Sequence, residues 1–220
     1  MTRHLDLTID METTALTANA AVMQVAIVPW LRQGDDDPFL DDNEAEPFVG
    51  YVDLRTCAVN GFDFDPATLR WWSSQGEDAK DAVCAGLPEP ITDVLIGALD
   101  YIRDFQAKYQ LDSICLWCQG PDVDIAILRN LCHKYDVSLE DTVPHTSFRD
   151  CRTVILEAAL LSGTSESEME DILRDPSKAY ELYPPLPDRY ASCSVAHDAL
   201  YDAVRSSWLT WQALKWIHTR

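Results

Sequence analysis

The sequence predicts an α/β fold: a mixed sheet in which an antiparallel meander is extended by a parallel strand, with helices on its faces. Three observations support this. Three apolar segments with strand-like alternation come first. Helical periodicities then dominate the chain. One short apolar segment, 113–118, lies between two helical ones, as the later strand of a crossover unit does. The 220 residues suit a single domain with a sizeable core, since domains peak near about 100–150 residues and many run larger. One domain is therefore expected over 1–220.

The elements follow in order. Residues 4–12 alternate, with Leu5, Leu7, Ile9 and Met11 on one face and His4, Asp6, Thr8, Asp10 and Glu12 on the other. Segments 21–30 and 48–54 read as the second and third strands. Between them, GDDDPFLDDNEAEP at 34–47 carries seven acidic residues and no basic one, which predicts a solvated loop. Helices are expected at 66–75, 77–85 and 91–109. The last has an apolar stripe through Val94, Leu95, Leu99, Ile102 and Phe105. A buried strand at 113–118 precedes helices at 122–135, 150–161 and 197–218. The polar stretch 162–178 reads as a short helix with flexible flanks. YPPLPDRY at 183–190 reads as a proline-stiffened connector.

Composition excludes several classes. No run of about 18 apolar residues exists, so no membrane span is expected. The N-terminus lacks the pattern of an export signal. Seven cysteines are an odd number in a chain of ordinary size, which predicts free thiols rather than a disulfide framework. Cys115 and Cys118 form a lone CxxC in an apolar stretch, without the second pair or nearby histidines of a zinc site. A cytoplasmic protein is the expectation. The net charge of −20 excludes a broad basic face for polyanions. It leaves room for an enzyme that meets phosphate through bound cations, which supply positive charge locally.

The acidic residues carry the chemistry. Asp10 and Glu12 are neighbours on one strand face, and two carboxylates this close repel unless something positive lies between them. Alone, they also suit an exposed polar face. In CQGPDVDIAILRNL, Gly120 and Pro121 turn the chain into a helix. Asp122 then stands where an N-cap would, and Asp124 lies in the first turn. In VAHDALYDAVRSSW, His197 and Asp202 are about 140° apart on a straight helix. They share a site only if His197 sits at the helix start and Asp202 one turn inside, above a stripe of Leu200, Val204, Trp208, Trp211 and Leu214. Arg149, Asp150 and Arg152 admit a structural salt bridge or a phosphate contact. Trp71 and Trp72 are about 100° apart on their helix. At most one is expected to face a bound strand, with core packing the alternative for each. His4, His133, His145 and His218 read as structural.

These pieces resemble, in order, the motifs of the DEDDh 3′→5′ exonucleases: IDMETTAL the first, DVDIAILRN the second, AHDALYDA the third. The likeness covers about residues 5–212. TLRWWSSQGEDA, LWCQGPDVDIAIL and FRDCRTVILEA are most similar to the phage branch of the exonuclease A (DexA) and exonuclease VIII type. The resemblance implies a ribonuclease-H-like mixed sheet flanked by helices, and a phage-encoded protein acting in a host cytoplasm. It implies two divalent cations, Mg²⁺ or Mn²⁺, held by Asp10, Glu12, Asp124 and Asp202, with His197 as general base. It aligns Asp124 rather than Asp122 with the second motif. Thr13 and Thr14 would meet the 3′-hydroxyl through their backbone, and Leu16 would pack on the terminal base. Ala15 and Val123 depart from the glycine and phenylalanine often found there, which bears on nucleotide preference.

The implied partner is a nucleic acid 3′ end, with single-stranded DNA favoured and RNA second; the chain admits a monomer or a homodimer. Two rivals are an inactive nuclease-fold binding protein and a Cys193–His197 hydrolase. The first leaves five retained motif residues without a purpose, and the second leaves four carboxylates unexplained.

Overall fold

The computed structural model describes residues 5–32, 36–40, 45–111, 114–165, 167–168, 171, 186–187, 190 and 195–219. Its strands are β1 (Leu5–Thr13), β2 (Val22–Leu31), β3 (Phe48–Val52), β4 (Pro88–Glu89), β5 (Cys115–Cys118) and β6 (Phe148–Asp150). Its helices are α1 (Leu54–Val59), α2 (Pro66–Ser74), α3 (Glu77–Ala82), α4 (Ile91–Tyr109), α5 (Asp124–Lys134), α6 (Cys151–Leu161) and α7 (Ala199–His218). The strands form one sheet in the order β4-β3-β2-β1-β5-β6. The expected meander is there, β1 antiparallel to β2 and β2 to β3, and β5 and β6 extend it in parallel beyond β1.

Four elements depart from the reading of the sequence, the first being α1, which that reading lacks. The third strand ends at Val52, because Asp53 accepts from the Arg55 amide and caps α1. β4 and β6 have two and three residues, too few for alternation to register.

Both faces of the sheet are covered. Leu5, Leu7 and Ile9 pack with Leu99 and Ile102 of α4 and Ile125 and Leu128 of α5. On the other face Val28, Trp30 and Trp117 pack with Ile155 of α6 and Val204, Trp208 and Trp211 of α7. The polar face of β1 is therefore interior rather than exposed, and Thr8 and Asp6 on it are each paired. Trp30 Nε1 donates to Thr8 Oγ1 at 3.0 Å. Arg32 forks onto Asp6 with 2.8 and 3.1 Å bonds. Removing one partner of such a pair leaves the other charge uncompensated. Asp6→Ala is expected to cost about 2–3 kcal/mol, below the fully buried figure because Arg32 keeps some solvent contact. Chemical denaturation checks this; an unchanged midpoint would count against the pairing.

The acidic segment 34–47 is only partly a solvated loop. The Leu31 amide donates to the Pro38 carbonyl, and Phe39 is 6% exposed, stacked on Trp208 and tilted against Tyr190. Its residues 34–35 and 41–44, most of 162–178 and 183–190, and Cys193 and His4 lie outside the described residues. Cys57, Cys84, Cys115, Cys118, Cys132 and Cys151 are free thiols. No helix among the described residues is long and apolar enough to cross a membrane.

Candidate active site

The site forms at the C-terminal end of β1, where three chain regions meet. Glu12 pairs in register with Gln24 of β2. The Gln24 side chain donates to Asp198 Oδ1 at 2.9 Å and accepts from the Ala199 amide at 2.9 Å. Asp198 in turn caps α7 by accepting from the Leu200 amide. One buried carboxamide thus clamps the first turn of α7 over the end of β1. It carries Asp202, one turn in, to the strand's acidic face.

His197 precedes the cap in left-handed backbone, with φ of 68°, and its amide donates to Asp202 Oδ2 at 3.2 Å. The arrangement is the one expected from the five-residue spacing. One ligand atom each of Glu12, His197 and Asp202 lie within 4.8 Å of one another. Asp124 arrives from the other side. After β5 the chain reverses at Gly120, φ 105°, and Val123 N–H closes the turn on the Gly120 carbonyl. Asp124 opens α5 and its Oδ1 accepts from the Met11 amide at 3.2 Å, which latches it to β1 between Asp10 and Glu12. Asp122 is not the cap expected of it. It sits exposed at the turn, and the cap position falls to Val123, which makes no side-chain bond.

Burial and crowding act together on these acids. Burial first, then the Asp124, Asp202, Glu12 and Asp198 carboxylates, push the Asp10 carboxyl well above its usual range. Glu12 is pushed up to about 8 by burial and then by Asp202, Asp124 and Asp198. Asp124 rises to about 7 through burial, against the Met11 amide and Arg152, which favour its anion. Burial also raises Asp202, opposed by Arg205 and His197. Clustered buried carboxylates that hold protons near neutrality are what a hard divalent cation relieves, so the donor set fits one.

A pH dependence follows. Folded-state values of about 8 for Glu12 and about 7 for Asp124 lie above the ordinary carboxylate values. The folded protein therefore binds more protons than the unfolded chain, and stability falls as pH rises. In EDTA the melting temperature should drop from about pH 4.5 to about pH 8, and saturating Mg²⁺ or Mn²⁺ should flatten that slope. Differential scanning calorimetry in both conditions checks it; a metal-free protein that gains stability over this window would contradict the buried cluster.

A cavity of about 500 Å³ adjoins the acids, bordered by Glu12, Thr13, Leu16, Trp71, Trp72 and Val123. Leu16 is 74% exposed, free to meet a ligand. Thr13 borders the cavity too, its carbonyl accepting from Trp72 Nε1 at 2.9 Å. Thr14, expected to meet substrate through its backbone, is bonded within the loop. Its amide donates to the Ala21 carbonyl, its own carbonyl accepts from Asp65, and its hydroxyl donates to the Asp63 carbonyl at 2.8 Å. Thr14 is fully buried and holds the loop that carries Leu16.

The two tryptophans also depart from expectation, since both border the cavity. It lies across two neighbouring faces of α2, so Trp72 meets it from the buried side and Trp71, 42% exposed, from the open side. Trp71 is thereby not core. Arg149, Asp150 and Arg152 do not pair with one another through side chains. Arg149 donates to the Thr146 and Phe148 carbonyls, Asp150 caps α6, and Arg152 reaches the Gln119 carbonyl at 3.4 Å.

Gln24 and Asp198 escaped the sequence reading. The signal was a lone amide in the otherwise apolar AVMQVAIVPW, and an aspartate beside His197 that reads as an ordinary cap.

A family model, the 3'-5' exoribonuclease Rv2179c-like domain, matches residues 5–214. Among solved structures, the nuclease domain of 3'hExo, a DEDDh family member, bound to rAMP, superposes with a TM-score of 0.55. The two are 11% identical, and the alignment covers 99% of this chain and 93% of that one, so the likeness is one of fold. The sheet with its flanking helices is that ribonuclease-H-like fold. No curated protein sequence matches this chain.

Proposed function

Because the chain belongs to the Rv2179c-like 3'-5' exoribonuclease domain family, and is on that ground a 3′→5′ exonuclease, we propose that it trims RNA from the 3′ end. The product is a nucleoside 5′-monophosphate. The family description supports RNA, whereas the expected preference for single-stranded DNA has no support. The match over nearly the whole chain supports a single exonuclease domain.

Asp10, Glu12, Asp124 and Asp202 would hold two divalent cations, Mg²⁺ or Mn²⁺. When bound, these supply charge neutralisation and Lewis acidity toward the phosphodiester. The rest falls to the protein. An imidazole nitrogen of His197 accepts the proton of the attacking water. The Asp202 carboxylate, bonded to the His197 amide, sets where that imidazole starts from. Leu16, Thr13 and the tryptophans bound the space for the terminal nucleoside. Gln24 keeps α7 in register with β1, so base and acids face the same point.

The observation that carries this reading is the convergence of Glu12, His197 and Asp202 within 4.8 Å beside a nucleotide-sized cavity. The test uses 5′-labelled RNA and DNA oligonucleotides of one sequence with EDTA, Mg²⁺ or Mn²⁺. A descending ladder on RNA with metal, and none with EDTA, is expected. RNA left intact with metal, or cleaved equally in EDTA, would overturn it.

A further inference from the structure

We propose that Trp71 is a positioning residue that couples the presence of a terminal nucleobase in the cavity to the placement of the His197 imidazole. The inference rests on the exonuclease reading and goes beyond it, since it makes the turnover rate depend on what fills the pocket.

The geometry is specific. The Trp71 ring stands 4.7 Å from the His197 ring, centroid to centroid, at 80°. The same indole borders the cavity that Glu12, Thr13 and Leu16 border. It thus touches the proposed base on one side and the nucleoside space on the other. Trp72 backs both, 5.1 Å from Trp71 and 6.1 Å from His197.

The platform under them is anchored at two points. Trp72 Nε1 donates to the Thr13 carbonyl. Asp65 caps α2 through the Thr68 amide while its own amide donates to the Thr14 carbonyl. α2 is therefore registered to the end of β1, and the indole that borders the cavity moves little except by side-chain rotation.

His197 is held differently. Its backbone is fixed in the left-handed region with its amide on Asp202, which leaves the imidazole its χ rotations. Among the described residues, the rings packed against it are those of Trp71 and Trp72. A planar base seated between Leu16 and Trp71 would narrow the indole's rotamers, and through the edge-to-face contact those of the imidazole. Such contacts are directional, so restriction passes from one ring to the next. An occupied pocket would then hold the proton acceptor in place, and an empty one would let it wander.

The test compares two RNA oligonucleotides that differ only in the last residue, adenosine or an abasic ribose. kcat and KM for the first release are measured for wild type, W71A and W71F with Mg²⁺. In wild type, removing the base should lower kcat about tenfold, the scale of one such aromatic contact. W71A should be about tenfold slow on the intact end and show no further loss on the abasic end. W71F should restore both rate and base dependence.

A second readout does not depend on turnover. AMP titrated into the Mg²⁺-loaded protein should shift and sharpen the His197 ring resonances in wild type and leave them unmoved in W71A, with H197Q giving the assignment. Should W71A fail to melt cooperatively, W71L takes its place.

An abasic penalty in kcat that persists in full in W71A would overturn the coupling, as would a W71A defect confined to KM. A wild-type enzyme that cleaves both ends at one rate sinks the coupling alone. A wild type that cleaves no RNA with metal sinks the exonuclease reading.

Discussion

Replacing Asp10 by Asn should abolish nucleotide release, by about a thousandfold or more, and at the same time raise the melting temperature of the metal-free protein. The two effects share one cause. Asp10 is the acid against which Asp124, Asp202, Glu12 and Asp198 all press. Without a cation Asp10 is tolerated by holding a proton, and an isosteric neutral amide removes that requirement, so the gain grows as pH rises. A gain of about 1 kcal/mol would appear as roughly 2–4 °C in a domain of this size. With a cation bound, the same charge would help hold the ion. Losing a ligand worth several kcal/mol of charge stabilisation in the transition state removes about three powers of ten or more in rate. The rise in melting temperature on adding Mn²⁺ should shrink in parallel. Single-turnover kinetics on RNA and melting curves with and without metal read both sides. A variant that is less stable in EDTA, or as fast as the parent, would refute the placement of Asp10 at the centre of the cluster.

His197→Ala should lower kcat by about a hundred- to ten-thousandfold, the range associated with a lost general base, while leaving most of the metal-induced stabilisation intact. The second half matters because the imidazole is close enough to Glu12 and Asp202 to be a ligand itself. A ligand and a base part ways here. Were His197 chiefly a ligand, the Mn²⁺-dependent shift in melting temperature would collapse along with activity. Retention of that shift with loss of rate assigns the proton transfer to this ring. The alanine carries its own small cost, since it inherits a φ of 68° that non-glycine residues adopt reluctantly. The metal-free melting temperature of H197A is the baseline from which its shift is counted.

Alternation along residues 5–12 was enough to put Asp10 and Glu12 on one face, and the five-residue spacing was enough to place His197 outside the last helix and Asp202 within it. Both readings depend on local geometry, and local geometry is what a sequence states most directly. What covers that face was not legible. β1 alternates polar and apolar residues as a half-exposed strand does, yet α7, arriving nearly two hundred residues later, buries its polar side. Asp6 and Thr8 are tolerated there because Arg32 and Trp30 satisfy them, partners that no periodicity reveals. Thr14 illustrates the same gap. Its place in the motif suggested substrate contact, but its amide, carbonyl and hydroxyl are taken up by the loop. The preference between DNA and RNA was drawn from the wording of segments such as TLRWWSSQGEDA, and no single residue in them speaks to a 2′-hydroxyl.

The Gln24 clamp has a consequence for the life of the chain before it is complete. Asp10, Glu12 and Asp124 emerge from the ribosome first, and Gln24 must wait for Asp198 and Ala199, 174 and 175 positions downstream. A nascent or prematurely terminated polypeptide that stops short of residue 197 holds three acids and lacks the proton acceptor and the fourth. Such a chain would lack the donor set proposed for the reaction. On the proposed reading, the site is completed only once α7 has been made and clamped by Gln24.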